Sequence, residues 1–277
     1  MEAWQHDHLT IADVERVSPL EKLETRILLM TVTGLTRIQL ITQSDYLLSP
    51  EQGLALQTLI QRRLDGEPIA YLTGEREFFG LPLLTSPAVL IPRADTELLV
   101  ELALSHTPNQ AKVLDMGTGS GAIAIAIAHT RPDLQVTALD ISADALAIAR
   151  ANVARHVPDR VRLIQSDWYS GVDGFVFDTI VSNPPYIVKD DPHLSQGDLR
   201  FEPINALTDH ADGLSAYRTI IANAPQHLVH EGWLLMEHGY HQAEDVRELL
   251  SGHGFVHVQS WRDLAGIERV SGGQWVK

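Results

Sequence analysis

The chain has no cysteine among its 277 residues. That excludes a disulfide framework, thiolate metal sites and a cysteine nucleophile together. Basic residues are scarce: 21 Lys and Arg stand against 36 Asp and Glu, a formal charge of −15. Neither residues 1–75 nor the remainder is cationic. Non-specific grip on nucleic acid needs a basic surface that displaces counterions, so stable nucleic-acid binding is not expected and a neutral or basic partner is favoured. Long apolar runs are missing too. The longest, Ala122 to Ala128, falls far short of the roughly 18 residues of a membrane span. The opening MEAWQHDHLTIADVER lacks the basic stretch and apolar core of a secretory signal, and no repeat or low-complexity segment stands out. With 44% hydrophobic and 21% charged residues, the expectation is a cytoplasmic globular protein of one or two domains.

Residues 1–74 read as short helices. Leu20, Leu23, Ile27 and Met30 are spaced as one helical stripe, with Ser18-Pro19 as its start and Gly34 as its stop. A second helix fits Ser49-Pro50 through Leu64, with Leu56, Leu59 and Ile60 inward and Gly66 ending it. Residues 75–93 change character: aromatics, β-formers and prolines predict a hairpin or extended connector, with Gly80-Leu81-Pro82 as its turn. From Lys112 onward short apolar strands (112–115, 135–140, 161–164, 177–182 and 233–236) alternate with helical stretches (121–129, 143–157 and 214–229). Such alternation predicts an α/β fold, a parallel sheet covered by helices on both faces. Ala122–Ala128 alternates with a period of two, as a strand would. Its alanines and the preceding glycine loop favour a buried helix.

The first of these strands runs through Asp115 into Met116-Gly117-Thr118-Gly119-Ser120-Gly121. Glycines there permit a sharp strand-to-helix turn and close approach of backbone to a ligand. A glycine loop alone is often only a tight turn. Here Asp140 ends the next strand, where an acid can accept both ribose hydroxyls of an adenosine-containing ligand. The D-x-G-x-G-x-G spacing resembles motif I of S-adenosylmethionine-dependent methyltransferases. Asp167-Trp168 after the third strand can take an adenine amino group and stack on its ring; a helix cap and a core tryptophan is the plainer alternative.

The strand Phe177–Ser182 ends in Asn183-Pro184-Pro185-Tyr186, at the same end of the sheet. A planar amide or aromatic amine delocalises its lone pair and is a poor nucleophile towards a methyl sulfonium. The Asn183 side-chain oxygen and the Pro184 carbonyl can each accept one N–H of an –NH2 group, and both favour the partly positive nitrogen of the transition state. Consecutive prolines aim the carbonyl in advance, and Tyr186 can wall in the planar group. Asn183, Pro184 and Tyr186 are therefore the candidate catalytic residues, with Pro185 completing the substrate-binding loop.

Further segments carry a family resemblance. Arg62-Arg63, Gly66-Glu67-Pro68-Ile69-Ala70-Tyr71-Leu72-Thr73-Gly74, Glu77-Phe78, Leu90-Ile91-Pro92-Arg93, Thr96-Glu97 and Arg200-Phe201-Glu202-Pro203, taken with the motifs above, resemble the PrmC/HemK family over nearly the whole chain. The resemblance implies a helical substrate-docking domain at 1–74, a β-hairpin connector at 75–93 and a seven-stranded Rossmann-like methyltransferase domain at 94–277. It implies methylation, with S-adenosylmethionine as donor, of the glutamine amide in the Gly-Gly-Gln motif of peptide chain release factors. It also implies that Gly117, Thr118, Gly119, Ser120, Gly121, Asp140, Trp168 and Asn183 bind the cofactor; the adenine reading above adds Asp167, and no metal is expected. One departure is Ala94, where the family pattern Ile-Pro-Arg-Pro has a second proline. Release factors must meet ribosomal RNA near that glutamine, so an acidic enzyme gains association rate from complementary potential.

Three other readings compete. The same tetrapeptide serves adenine N6 methylation of DNA or RNA, which needs base flipping and a cationic track. A ribosomal protein is an alternative glutamine donor, although Gly66-Glu67-Pro68 favours the release-factor branch. A non-catalytic nucleotide-binding module is the third. The thirteen histidines are scattered without a ligand set and are expected to be ordinary polar residues. Gly272-Gly273-Gln274 repeats the implied substrate tripeptide; it is expected to be a strand-end turn rather than a self-methylation site.

Overall fold

A computed structural model describes residues 9–277. Contacts divide the chain into two compact units, one ending at Gly74 and one spanning Glu75–Lys277. The hairpin thus belongs to the second unit.

The first unit consists of α1 (Ile11–Val17), α2 (Lys22–Thr33), α3 (Arg37–Thr42), α4 (Pro50–Leu64) and α5 (Ile69–Thr73). Capping boxes set three starts: Thr10 with Asp13, Thr36 with Gln39 and Ser49 with Gln52 each exchange side-chain and backbone bonds. Gly34, in the left-handed region at φ 71°, ends α2. The expected α2 stripe is rotated in the structure. Thr25, Leu28 and Leu29 point inward, while Leu23 is 62% exposed. The helix packs against α1, α3, α4 and α5, so apolar positions around much of its girth find partners and a single-stripe reading picks the wrong centre. In α4, Leu56 and Ile60 are buried as expected.

The second unit opens with the antiparallel pair β1 (Glu75–Phe78) and β2 (Leu81–Leu84). Their turn is Phe79-Gly80, both at positive φ (51° and 77°), not Gly80-Leu81-Pro82. Two consecutive left-handed residues match the twist of a two-residue hairpin, and Pro82 is tolerated inside β2 because the ribbon has only two strands. Then follow α6 (Glu97–His106), β3 (Lys112–Met116), α7 (Ala122–Thr130), β4 (Gln135–Asp140), α8 (Ala143–His156), β5 (Val161–Gln165), β6 (Phe177–Ser182), α9 (Ile204–Leu207), α10 (Ser215–His227), β7 (Leu228–Glu237), α11 (Ala243–Gly252), β8 (Val256–Arg262) and β9 (Glu268–Trp275). The seven-stranded sheet has the order β5-β4-β3-β6-β7-β9-β8. All neighbours are parallel except β9, which is antiparallel to β7 and β8.

Period-two alternation sorts each central strand between two cores. Val113, Ala138, Val181 and Leu235 pack with α6 and α7 on one face. Leu114, Leu139, Ile180 and Leu234 pack with α10 and α11 on the other. α7 is helical despite its alternating sequence, and residues 122–128 are all buried. The chain order reverses between β3 and β6, which opens a crevice at their carboxyl ends.

β9 corrects the expectation for Gly272-Gly273-Gln274. The tripeptide lies inside a strand held on both sides, with Gly272 opposite Leu235 and Gln259. Gln274 Nε2 donates to the Glu231 carbonyl at 2.9 Å, towards the end of β7 remote from the crevice. Gly272 is required by proximity: a Cβ there would stand 2.6 Å from the Leu234 carbonyl oxygen. Gly272→Ala is therefore expected to cost about 1–3 kcal/mol of overpacking, read as a lower urea midpoint at unchanged slope.

Candidate active site

The crevice holds a cavity of about 300 Å³, at the lower end of the roughly 300–1,000 Å³ usual for small-molecule sites. Of the candidate catalytic, cofactor-binding and substrate-binding residues above, Gly117, Gly119, Asp140, Asp167, Trp168, Asn183 and Pro185 line it. Gly117 and Gly119 have φ of 71° and 54°, and a Cβ at either would meet nothing within 4 Å. These two glycines form a cradle that side chains would fill.

Thr118, Ser120 and Gly121 do not line the cavity. The loop turns them into the protein: Thr118 Oγ1 donates to Asp115 Oδ2 at 2.6 Å, and the Ser120 carbonyl accepts from Asn152 Nδ2 at 2.9 Å. A Cβ on Gly121 would sit 3.0 Å from Ile125, so this glycine permits close helix packing instead of ligand contact. Asp115 is fully buried beneath the loop and also accepts the Ala124 N–H at 3.2 Å. Burial pushes its carboxyl up to about 7; the Thr118 and Ala124 bonds oppose the rise and the nearby Asp140 charge adds to it.

Asp140 stands at the end of β4. One carboxylate oxygen accepts the Gly119 N–H and the other the Ser142 N–H, both at 2.9 Å. It thus fixes the glycine loop and the entry to α8. Each oxygen keeps a further lone-pair site for a ligand hydroxyl. Asp167 is exposed and makes no side-chain cap bond to the short 3₁₀ turn Trp168–Gly171 that follows it, so its carboxylate is free of the capping duty. Trp168 is half-buried, at φ 46°, with one side against the core and another on the cavity.

The tetrapeptide leaves the sheet beside the glycine loop. Ser182 Oγ donates to the Met116 carbonyl at 2.8 Å, tying the ends of β6 and β3 together. Asn183 Nδ2 donates to Thr96 Oγ1 at 3.3 Å, which leaves its oxygen as the other end of the amide. Pro184 is buried and Tyr186 half-buried, and neither lines the cavity. The Pro184 carbonyl takes no hydrogen bond from any described residue. Burial pushes the Tyr186 phenol up to about 12 and keeps it protonated. The Tyr186 carbonyl accepts from Gln242 Nε2 at 3.1 Å, and Gln242 Oε1 in turn accepts the Gly239 N–H at 2.9 Å.

Several lining residues were not assigned to the site from the sequence. Ala88 and Val89 of the connector and Asn205 and Ala206 of the segment around α9 carried no signal, while Leu90 and Pro203 stood in quoted segments without a role. A buried carboxylate joins these two walls: Glu202 accepts the Ile91 N–H at 3.0 Å and pairs with Arg93. The quoted segments Ile91-Pro92-Arg93 and Arg200–Pro203 contained these partners without showing that they meet. Ala94, the departure from the family pattern, starts a 3₁₀ turn at Ala94–Thr96 that presents Thr96 to Asn183. Among the described residues no group of three or more His, Asp or Glu could hold a metal ion, and no helix is long and apolar enough to cross a membrane.

A seven-stranded sheet with a glycine cradle and an acid at its switch point suits an adenosine-containing ligand, and the family match over residues 93–197 makes the class a methyltransferase that uses S-adenosylmethionine. Residues 93–197 match the Methyltransferase small domain family, and residues 13–74 match the PrmC N-terminal domain. A solved methyltransferase from Pyrococcus furiosus shares the fold, with a TM-score of 0.56 at 21% identity over 78% of this chain and 98% of that one. Release factor glutamine methyltransferases are much nearer in sequence. That of Burkholderia pseudomallei is 52% identical over 96% of both chains, and that of Escherichia coli is 45% identical over 94% of this chain and 96% of its own. The chain belongs to the release factor glutamine methyltransferase family.

Proposed function

We propose that this chain methylates the side-chain amide nitrogen (N5) of the glutamine in the Gly-Gly-Gln motif of peptide chain release factors. The carrying observation is Asn183 at the cavity wall with its Nδ2 turned back to Thr96. That orientation leaves Oδ1 to accept an N–H of an incoming amide, while the Pro184 carbonyl supplies a second acceptor.

When bound, S-adenosylmethionine supplies an electrophilic methyl group on a sulfonium. Gly117 and Gly119 would take its amino-acid portion against backbone, Asp140 its ribose hydroxyls, and Asp167 and Trp168 its adenine. The cradle open to a Cβ and the spare lone pairs of Asp140 suit these groups. Two fixed acceptors on the substrate –NH2 align the nitrogen and stabilise the positive charge it gains, so the surplus proton can leave to solvent without a strong base. Pro184 and Pro185 hold the backbone in place, so little ordering entropy is lost when the amide docks.

The helical unit of residues 1–74 is assigned to gripping the factor away from its glutamine, residues 75–93 to a connector that also walls the cavity, and residues 94–277 to catalysis. Translation termination places the enzyme in the cytoplasm. The net charge of −15 speaks against the adenine alternative, because a nucleic-acid strand needs cationic neutralisation.

The test is transfer of a labelled methyl group. Label is expected in an intact release factor, and neither in a factor whose Gly-Gly-Gln glutamine is replaced nor in DNA. Incorporation into DNA, or into the substituted factor, overturns the assignment.

A further inference from the structure

Glu237 ends β7 directly behind the tetrapeptide and is only 3% exposed. Its Oε2 is buried with no hydrogen-bond partner. Such an orphan oxygen is costly and rare in a native interior. Thr96 and Asn183 are the polar side chains whose nearness lowers the cost of this buried charge, and they are joined to each other by the bond from Asn183 Nδ2 to Thr96 Oγ1. Asn183 lines the cavity, whereas neither Thr96 nor Glu237 does.

We infer that Glu237 is a positioning residue that dictates which end of the Asn183 amide faces the cavity. An ionised carboxylate only accepts hydrogen bonds, so it draws the Asn183 –NH2 towards itself and turns Oδ1 outward. Without that bias the two ends of an amide have nearly the same shape, and half of its orientations would present a donor to the substrate's own –NH2. The inference rests on the methyl-transfer reading above and deepens it.

The charge on Glu237 is itself adjustable. Burial pushes its carboxyl up to about 7; the Thr96 hydroxyl opposes this, Asp95 adds to it, and Arg269 and Asn183 oppose it. The phenols of Tyr186 and Tyr217 also face it, and Tyr217 donates to the Glu237 backbone carbonyl at 2.8 Å. Above that value Glu237 is an acceptor. Below it the protonated carboxyl can donate to Asn183 Oδ1 and turn the amide around, so kcat should decline as pH falls through about 7.

The isosteric Glu237→Gln variant tests this. Gln can offer its own –NH2 to Asn183, so kcat on a release factor is expected to drop by about 10²-fold, the scale of losing one oriented transition-state partner. KM should change little, and the acid limb of the pH profile should vanish. Thr96→Val, which keeps shape and the carboxylate, should give a smaller drop in the same parameter. In substrate-free protein, the Asn183 side-chain amide nitrogen, assigned by its loss in Asn183→Asp, should titrate near neutrality in the wild type and stay flat in Glu237→Gln. Wild-type enzyme that labels no release factor refutes the methyl-transfer reading and this inference with it. Wild-type labelling with unchanged kcat in Glu237→Gln, or with a flat Asn183 signal, refutes the positioning role alone.

Discussion

Replacing Asn183 by alanine is expected to lower kcat by about 10²–10³-fold, or about 3–4 kcal/mol of transition-state stabilisation. The variant removes the oxygen that Thr96 leaves free to face the cavity. The Pro184 carbonyl remains, so one of two acceptors survives and the rate should stay above background. Cofactor affinity should weaken only modestly, since Asn183 is one of many cavity residues. Single-turnover kinetics with saturating cofactor, paired with calorimetric binding, separates the two quantities. Near-normal turnover would end the acceptor model.

The second large effect is expected at Asp140. Its carboxylate holds the Gly119 and Ser142 N–H groups at 2.9 Å, with lone pairs left for two hydroxyls. Hydrogen bonds to a charged acceptor contribute about 1.5–3 kcal/mol each. Asp140→Ala should therefore raise the Kd for S-adenosylmethionine by about 10²-fold or more, while kcat at saturating cofactor falls much less. Asp140→Asn retains one acceptor oxygen and should lie between. A wild-type Kd in calorimetry of the alanine variant would remove Asp140 from the ligand set.

These two residues were legible in the sequence because strand ends in an open α/β sheet are predictable places. Val113-Leu114-Asp115 and Phe177–Ser182 announce buried strands, and whatever follows them lies at the crevice. The ligand-facing half of the glycine loop was less legible. Gly117 and Gly119 line the cavity while Thr118, Ser120 and Gly121 turn away, a distinction set by φ alternation and helix packing that a motif does not display. The stripe on α2 misled for a related reason: a helix with neighbours on several sides carries apolar residues around most of its circumference. Least visible were contacts between distant segments. Glu237 lies 54 positions beyond Asn183, and Glu202 meets Ile91 and Arg93 across more than 100. Each looks like an ordinary acid until the fold buries it.

The Gly-Gly-Gln of β9 has a consequence for selectivity. Here is a copy of the proposed target tripeptide in the enzyme's own chain, with its two glycines wedged against neighbouring strands and its amide committed to the Glu231 carbonyl. Three letters alone therefore cannot make a methyl acceptor. Under the proposed function, an acceptor glutamine must instead have its amide free to enter the cavity lined by Asn183. Selectivity would then rest on the setting of the tripeptide and not on its letters, since the copy in β9 is spent on holding the sheet together.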